Sequence, residues 1–207
     1  MNFKFIRLGE SLHFLVIENL MTSQELSEIW EEVNLLSYRS KLLLDTSTAR
    51  NADNSLKANK QGFFLDDVYR YRKFSNYFNY YKKWISLENK KKIEENNMSW
   101  RPLFNCKHDK TLFSYYEDSD FYDEHQDTAL YTQLFWIFKE PKKFEGGQLE
   151  LTDFNYQIEV NNNTMVIFPS WYSHKVNKVT LQDKTPEQRD KLLCNGRYVF
   201  TTFYNLY

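Results

Sequence analysis

Tyr131-Thr132-Gln133-Leu134-Phe135-Trp136-Ile137-Phe138 is the stretch on which the fold of this chain turns. It is apolar almost throughout, as a strand buried on both faces is. Its neighbours share the extended character. Upstream, Thr111-Leu112-Phe113-Ser114-Tyr115-Tyr116 reads as a strand. Downstream, Gly146-Gly147 leads into the alternating strand Leu149-Glu150-Leu151. Asn155–Val160 and Thr164–Phe168 read as two more, joined by Asn161-Asn162-Asn163 as a hairpin turn, because asparagine tolerates positive φ. Tyr198–Tyr204 is the last strand.

The first half reads differently. After a short strand over His13–Ile17, Thr22 and Glu25 form a capping box. Leu26, Ile29, Trp30, Val33 and Leu36 then recur at helical spacing. From Asp67 to about Asn96 the pattern is helical again, with Val68, Tyr71, Phe74, Tyr77, Phe78, Tyr81 and Ile85 on one face. The Lys90-Lys91-Lys92 run is a solvated face, neutralised by Glu88, Glu94 and Glu95. Asp45–Gln61 lacks periodicity and is a loop, either a solvated connection or a lid. The expectation is an α+β fold, a double-stranded β-helix (jelly roll, cupin-like) with N-terminal helices packed on one sheet. Residues 1–207 form a single domain, 1–110 mainly helical support and 111–207 the jelly-roll core.

Composition narrows the function. Lysine and arginine total 27 against 28 acids, a net charge of −1. No basic surplus points to nucleic acid. Cys106 and Cys194 form no metal-spacing motif, so a reduced, cytoplasmic setting is the default. No apolar run is long enough to span a bilayer, so no membrane partner is expected.

The chemistry concentrates around Tyr115–Asp127, which ends in His125-Gln126-Asp127. Residues i and i+2 of a strand share a face, so His125 and Asp127 project together. His174 follows 49 positions later in a similar apolar context. Two imidazoles and one carboxylate, with the other positions open, are the ligand set of non-haem iron(II) oxygenases. The same set also holds zinc in open sites. Arg197 lies in an otherwise apolar strand, and a buried guanidinium needs a partner.

Four ordered pieces carry a resemblance: Tyr115–Asp127, Pro141–Leu151 with its Phe144-Glu145-Gly146-Gly147, Ile167-Phe168-Pro169-Ser170 before His174-Lys175-Val176, and Arg197. Together they resemble the prolyl-4-hydroxylase-like branch of the 2-oxoglutarate- and iron(II)-dependent oxygenases, over roughly Leu112–Tyr204. The resemblance implies Fe(II) on His125, Asp127 and His174, from a strand end and a facing strand across the barrel. It implies 2-oxoglutarate as co-substrate, its distal carboxylate gripped by the fork of Arg197, with Tyr115 and Thr201 lining that pocket. Dioxygen and an oxidisable substrate follow, with ascorbate as an accessory reductant. The implied reaction turns 2-oxoglutarate into succinate and hydroxylates a C–H bond, of a prolyl residue in a peptide or protein. Alternatives are an oxygenase of a free amino acid or small metabolite, and a non-catalytic metal-binding jelly roll.

Two departures stand out. Arg197 follows His174 by 23 positions, where the family spacing is about ten, so Thr180–Asn195 reads as a charged surface insertion. Ile137 stands where many relatives place Tyr or Phe, which implies one hydroxyl fewer in the pocket.

Overall fold

The computed structural model describes residues 1–10, 12–40, 49–182 and 195–207. In chain order its elements are β1 (Asn2–Leu8), β2 (Leu12–Glu18), α1 (Ser23–Ser40), β3 (Ala58–Asn59), β4 (Gln61–Phe64), α2 (Leu65–Val68), α3 (Asn76–Tyr80) and α4 (Leu87–Asn96). The strands of the second half follow: β5 (His108–Tyr116), β6 (Phe121–His125), β7 (Tyr131–Ile137), β8 (Phe144–Gly146), β9 (Leu149–Leu151), β10 (Tyr156–Ile158), β11 (Thr164–Pro169), β12 (His174–Val176), β13 (Val179–Leu181) and β14 (Arg197–Asn205).

Two antiparallel sheets face each other. The larger runs β1-β2-β11-β7-β14-β5-β4 and the smaller β10-β9-β12-β6-β3. This is a double-stranded β-helix, and every residue of its adjacent strands β7 and β11 is buried. One face of the large sheet looks at the small sheet across Leu134, Trp136, Leu149, Val166 and Val176. The other is covered by helices, where Phe135, Ile137, Tyr198 and Phe200 meet Ile29, Val33, Tyr77 and Trp84. Tyr77 stacks on Phe200 with ring centroids 4.0 Å apart. Alternate residues of β7 and β14 therefore belong to different cores, which is why both strands read as continuous apolar runs.

The helix α1 begins as expected. The Thr22 N–H donates to Glu25 Oε2 at 2.7 Å and the Glu25 N–H to Thr22 Oγ1 at 3.3 Å. The segment from Asp67 to Asn96 is not one helix. Ser75 caps α3 and Ser86 caps α4, each accepting a backbone N–H three residues on. These restarts break the stripe: Tyr77, Phe78 and Tyr81 are buried, whereas Tyr71 and Phe74 are exposed.

Three further expectations change. The first 110 residues also supply strands: β1 and β2 extend the large sheet, and β3 and β4 add to the small and large sheets. Asn161–Asn163 is not a hairpin, since β10 lies in the small sheet and β11 in the large one. Asn163 does adopt positive φ (54°). Its side-chain amide brackets the Met21 backbone with two 2.8 Å hydrogen bonds, fixing the entry to α1. Of the expected Asp45–Gln61 loop, residues 45–48 lie outside the described residues, and its end is β3 followed by the buried Lys60. Most of the expected 180–195 insertion, residues 183–194, also lies outside them. Among the described residues, no helix is long and apolar enough to cross a membrane.

Candidate metal and co-substrate site

His125 is the last residue of β6 and His174 the first of β12, and the two are paired directly in the small sheet. His174 is thus on the adjacent strand, not across the barrel as expected. The imidazoles stand 4.3 Å apart between centroids. Each Nδ1 lies 2.8 Å from the carbonyl two residues back, that of Asp123 for His125 and that of Tyr172 for His174. A carbonyl only accepts, so each Nδ1 carries the proton and each Nε2 keeps a free lone pair. Burial, and then the neighbouring His174, push the His125 imidazole down to about 3. His125 is therefore neutral at ordinary pH, the state a metal ligand requires.

Asp127 sits two residues beyond β6. Its backbone N–H donates to the Ser170 carbonyl at 3.1 Å. Thr132 Oγ1 donates to Asp127 Oδ2 at 2.6 Å and lies 2.8 Å from Ser170 Oγ. The carboxylate is thereby aimed at both imidazoles: Oδ1 is 3.6 Å from His125 Nε2, and Oδ2 is 3.5 Å from His174 Nε2. Two donors each about 2.1 Å from one ion stand roughly 3.0–3.4 Å apart. The observed spacing is close to that, and all three ligand atoms lie within 4.8 Å of one another. Tyr122 stacks on His125 (3.6 Å, 13°), and Phe168 meets His174 edge-on at 5.0 Å. The rings are held, and the far side opens into a cavity of about 270 Å³.

Arg197, Val199, Thr201 and Phe203 line that cavity, every second residue of β14. Arg197 is 1% exposed, and among the described residues its Nε and Nη1 have no hydrogen-bond partner. Its guanidinium carbon lies 4.8 Å from the Tyr116 ring centroid and 5.7 Å from that of Trp136. Burial pulls the guanidinium down to about 10, partly offset by Tyr116. A buried cation with two donors left unpartnered fits an anionic ligand. Gly147 makes room for it, since a Cβ there would come within 2.8 Å of Arg197 Cδ.

The expected set is therefore brought together with one exception. Tyr115 packs in the helix-side core against Tyr198, ring centroids 4.7 Å apart, and does not line the cavity. Its neighbour Tyr116 does. Ile137 likewise faces the helices, so its identity removes nothing from the pocket. Sequence reading missed Thr132 and Ser170, polar residues within apolar strands. It also missed Lys60, hidden in a polar stretch.

An antiparallel double-stranded β-helix with two histidines and a carboxylate converging beside an open cavity defines a mononuclear metal-site jelly roll. Residues 111–205, which hold all of these site residues except Lys60, match the 2OG-Fe(II) oxygenase superfamily, and this part of the chain belongs to it. The match marks residues 111–205 as a 2-oxoglutarate- and iron(II)-dependent oxygenase domain. The chain's fold is similar to that of a prolyl hydroxylase from Trichoplax adhaerens in complex with a hypoxia-inducible-factor peptide fragment (17% identity, 93% of this chain and 83% of that one, TM-score 0.58). It is also similar to a Pseudomonas putida prolyl-4-hydroxylase (14%, 93% and 91%, TM-score 0.51). A third similar structure is NgTET1 in complex with 5mC DNA (18%, 93% and 71%, TM-score 0.52). Among curated protein sequences, none matches the chain.

Proposed function

We propose that His125, Asp127 and His174 hold the iron(II), and that Arg197 binds the distal carboxylate of 2-oxoglutarate through its two free donors. One domain spanning the whole chain carries this site. When bound, the metal supplies the activation of dioxygen that hydroxylation needs. The protein's own part is to orient and to exclude water. Thr132 fixes the carboxylate, the carbonyls of Asp123 and Tyr172 fix the imidazoles, and Leu112, Leu134, Val199 and Phe203 keep the cavity wall apolar. The observation that carries this reading is the convergence on one cavity of three ligand atoms and a buried guanidinium with two unpartnered donors.

The substrate reading is a C–H bond of a prolyl residue in a peptide or protein. The four ordered motifs support it, and the net charge of −1 supports such a substrate over nucleic acid. A panel of proline-containing peptides, incubated with iron-loaded enzyme and 2-oxoglutarate, tests it by mass spectrometry. The expected product is one oxygen atom heavier, with the mass on proline. Oxygen incorporated only into non-prolyl positions, or only into free metabolites, would replace this reading. The second reading, a free amino acid or other small acid, is favoured by a single feature: the buried Lys60 in the cavity wall.

A further inference from the structure

The cavity holds one cation more than metal and co-substrate account for. Lys60 is the only residue between β3, in the small sheet, and β4, in the large one. Its backbone is thus tied to both sheets, and its side chain enters the cavity. The residue is 5% exposed. Its Nζ lies 3.2 Å from Ser114 Oγ, and no carboxylate stands within 4 Å of it among the described residues. Instead it rests 5.1 Å from the Tyr122 ring centroid and 5.8 Å from that of Tyr116. Tyr122 stacks on the ligand His125 and Tyr116 carries Arg197, so the ammonium sits between the two ends of the site.

Charge counting shows what is left over. A divalent ion is balanced by Asp127 and the proximal carboxylate of 2-oxoglutarate. Arg197 offers two unpaired donors to the two oxygens of the distal carboxylate. Both carboxylates of the co-substrate are then used. The Lys60 ammonium remains, facing the cavity with a neutral hydroxyl as its only hydrogen-bond partner among the described residues. A buried ammonium without a counter-charge is strongly disfavoured. A fourth anion must arrive with the molecule that is oxidised.

We propose that Lys60 is a specificity-determining residue that receives a carboxylate of the prime substrate. The inference rests on the oxygenase reading above and narrows its substrate class to acids. That carboxylate has two possible sources: the main-chain carboxylate of a small acid, or the side chain of an Asp or Glu beside the oxidised residue of a peptide. Burial, then repulsion from Arg197, draw the ammonium down to about 8 against the weaker pull of Asp127, and an anion beside it would hold the charge in place.

The test uses full-length protein loaded with Mn(II) and 2-oxoglutarate, so that nothing turns over, and calorimetric titration of matched probes. N-acetyl-L-proline against N-acetyl-L-prolinamide represents the small-acid source. Capped Pro-Glu against capped Pro-Gln represents the peptide source. Wild type should bind the carboxylate member of at least one pair at least tenfold more tightly than its amide, and the pair identifies the source. Lys60→Met should abolish that preference while changing 2-oxoglutarate affinity less than threefold, and Lys60→Arg should keep it. Equal or undetectable binding within both pairs overturns the proposal, as does a preference that survives in Lys60→Met. A Lys60→Met variant that loses 2-oxoglutarate tenfold or more also overturns it, because Lys60 would then hold the co-substrate. Failure of the oxygenase reading shows separately, as a wild type that takes up no 2-oxoglutarate before any probe is added, and it removes the proposal with it.

Discussion

Replacing Arg197 with methionine should move stability and binding in opposite directions. The guanidinium is 1% exposed, with Nε and Nη1 unpartnered among the described residues. Its pKa falls from 12.5 to about 10. At about 1.4 kcal/mol per unit, burying this charge costs on the order of 3 kcal/mol. The sign follows from the direction of the shift. A base whose folded pKa is lowered is charged in both states at neutral pH, so the penalty is full there and is relieved only above about 10. Methionine fills similar space without the charge, so the ligand-free variant should be more stable by about 1–3 kcal/mol. For a chain of this size that raises Tm by a few degrees, roughly 2–4 °C per kcal/mol. Most buried truncations do the reverse. Binding should suffer, because losing one partner of a buried, hydrogen-bonded charge pair costs about 2–5 kcal/mol. At tenfold per 1.4 kcal/mol, 2-oxoglutarate affinity falls by roughly 30-fold to several thousandfold. Arg197→Lys should fall between, since it keeps the charge and loses the fork. Calorimetry on the Mn(II) form and thermal unfolding of the ligand-free form read the two effects. A destabilised variant with unchanged 2-oxoglutarate affinity would refute the reasoning and make Arg197 a structural residue.

Two further outcomes follow from the same contacts. Thr132→Val removes the hydroxyl that donates to Asp127 Oδ2 and should weaken metal binding about 10–100-fold. Equilibrium competition against a metal chelator measures this, and unfolding should change little. Asp109→Asn should destabilise the fold, because the Asp109 carboxylate gathers Arg72, Lys82 and Tyr81 at the edge of β5. The loss is about 2–3 kcal/mol, below the roughly 3–5 kcal/mol of a fully buried pair, since Arg72 and Lys82 are 35% and 38% exposed. Burial pushes the Asp109 pKa up, but hydrogen bonds from Lys82 and Arg72 outweigh it and hold the pKa below the usual range. Its contribution is therefore present above the unfolded carboxylate value of about 3.9 and lost as pH falls through the folded one. Urea unfolding should show a wild-type advantage at pH 7 that shrinks in acid.

The architecture was legible where apolar pattern and length agreed. Continuous burial of Tyr131–Phe138 marked a strand between two cores, and that is where β7 lies. The same double burial hid the register. When both faces of a strand are apolar, period-two alternation no longer tells which residue faces which side. For this reason the sequence points to Tyr115 as the pocket residue, whereas Tyr116 lines the cavity. On β14 the charge of Arg197 settled the register, and Thr201 follows it correctly onto the cavity face. The triad was readable because its ligand types are distinctive. Their supports were not, since Thr132 and Ser170 look like ordinary strand residues until the sheet pairs them. Lys60 could not be found from sequence, because a lysine in a run of Ser, Asn and Lys is indistinguishable from a solvated one. Its burial depends on the crossing from β3 to β4.

The central claim is that this one cavity binds iron(II) and 2-oxoglutarate together and turns the latter over. Its most direct measurement is succinate formed from 2-oxoglutarate by anaerobically iron-loaded protein on admission of air, beside the His174→Ala variant. The account predicts slow succinate formation by wild type even without prime substrate, and none above background from the variant. Turnover by His174→Ala at the wild-type rate, or a wild type that takes up iron but forms no succinate, would contradict it.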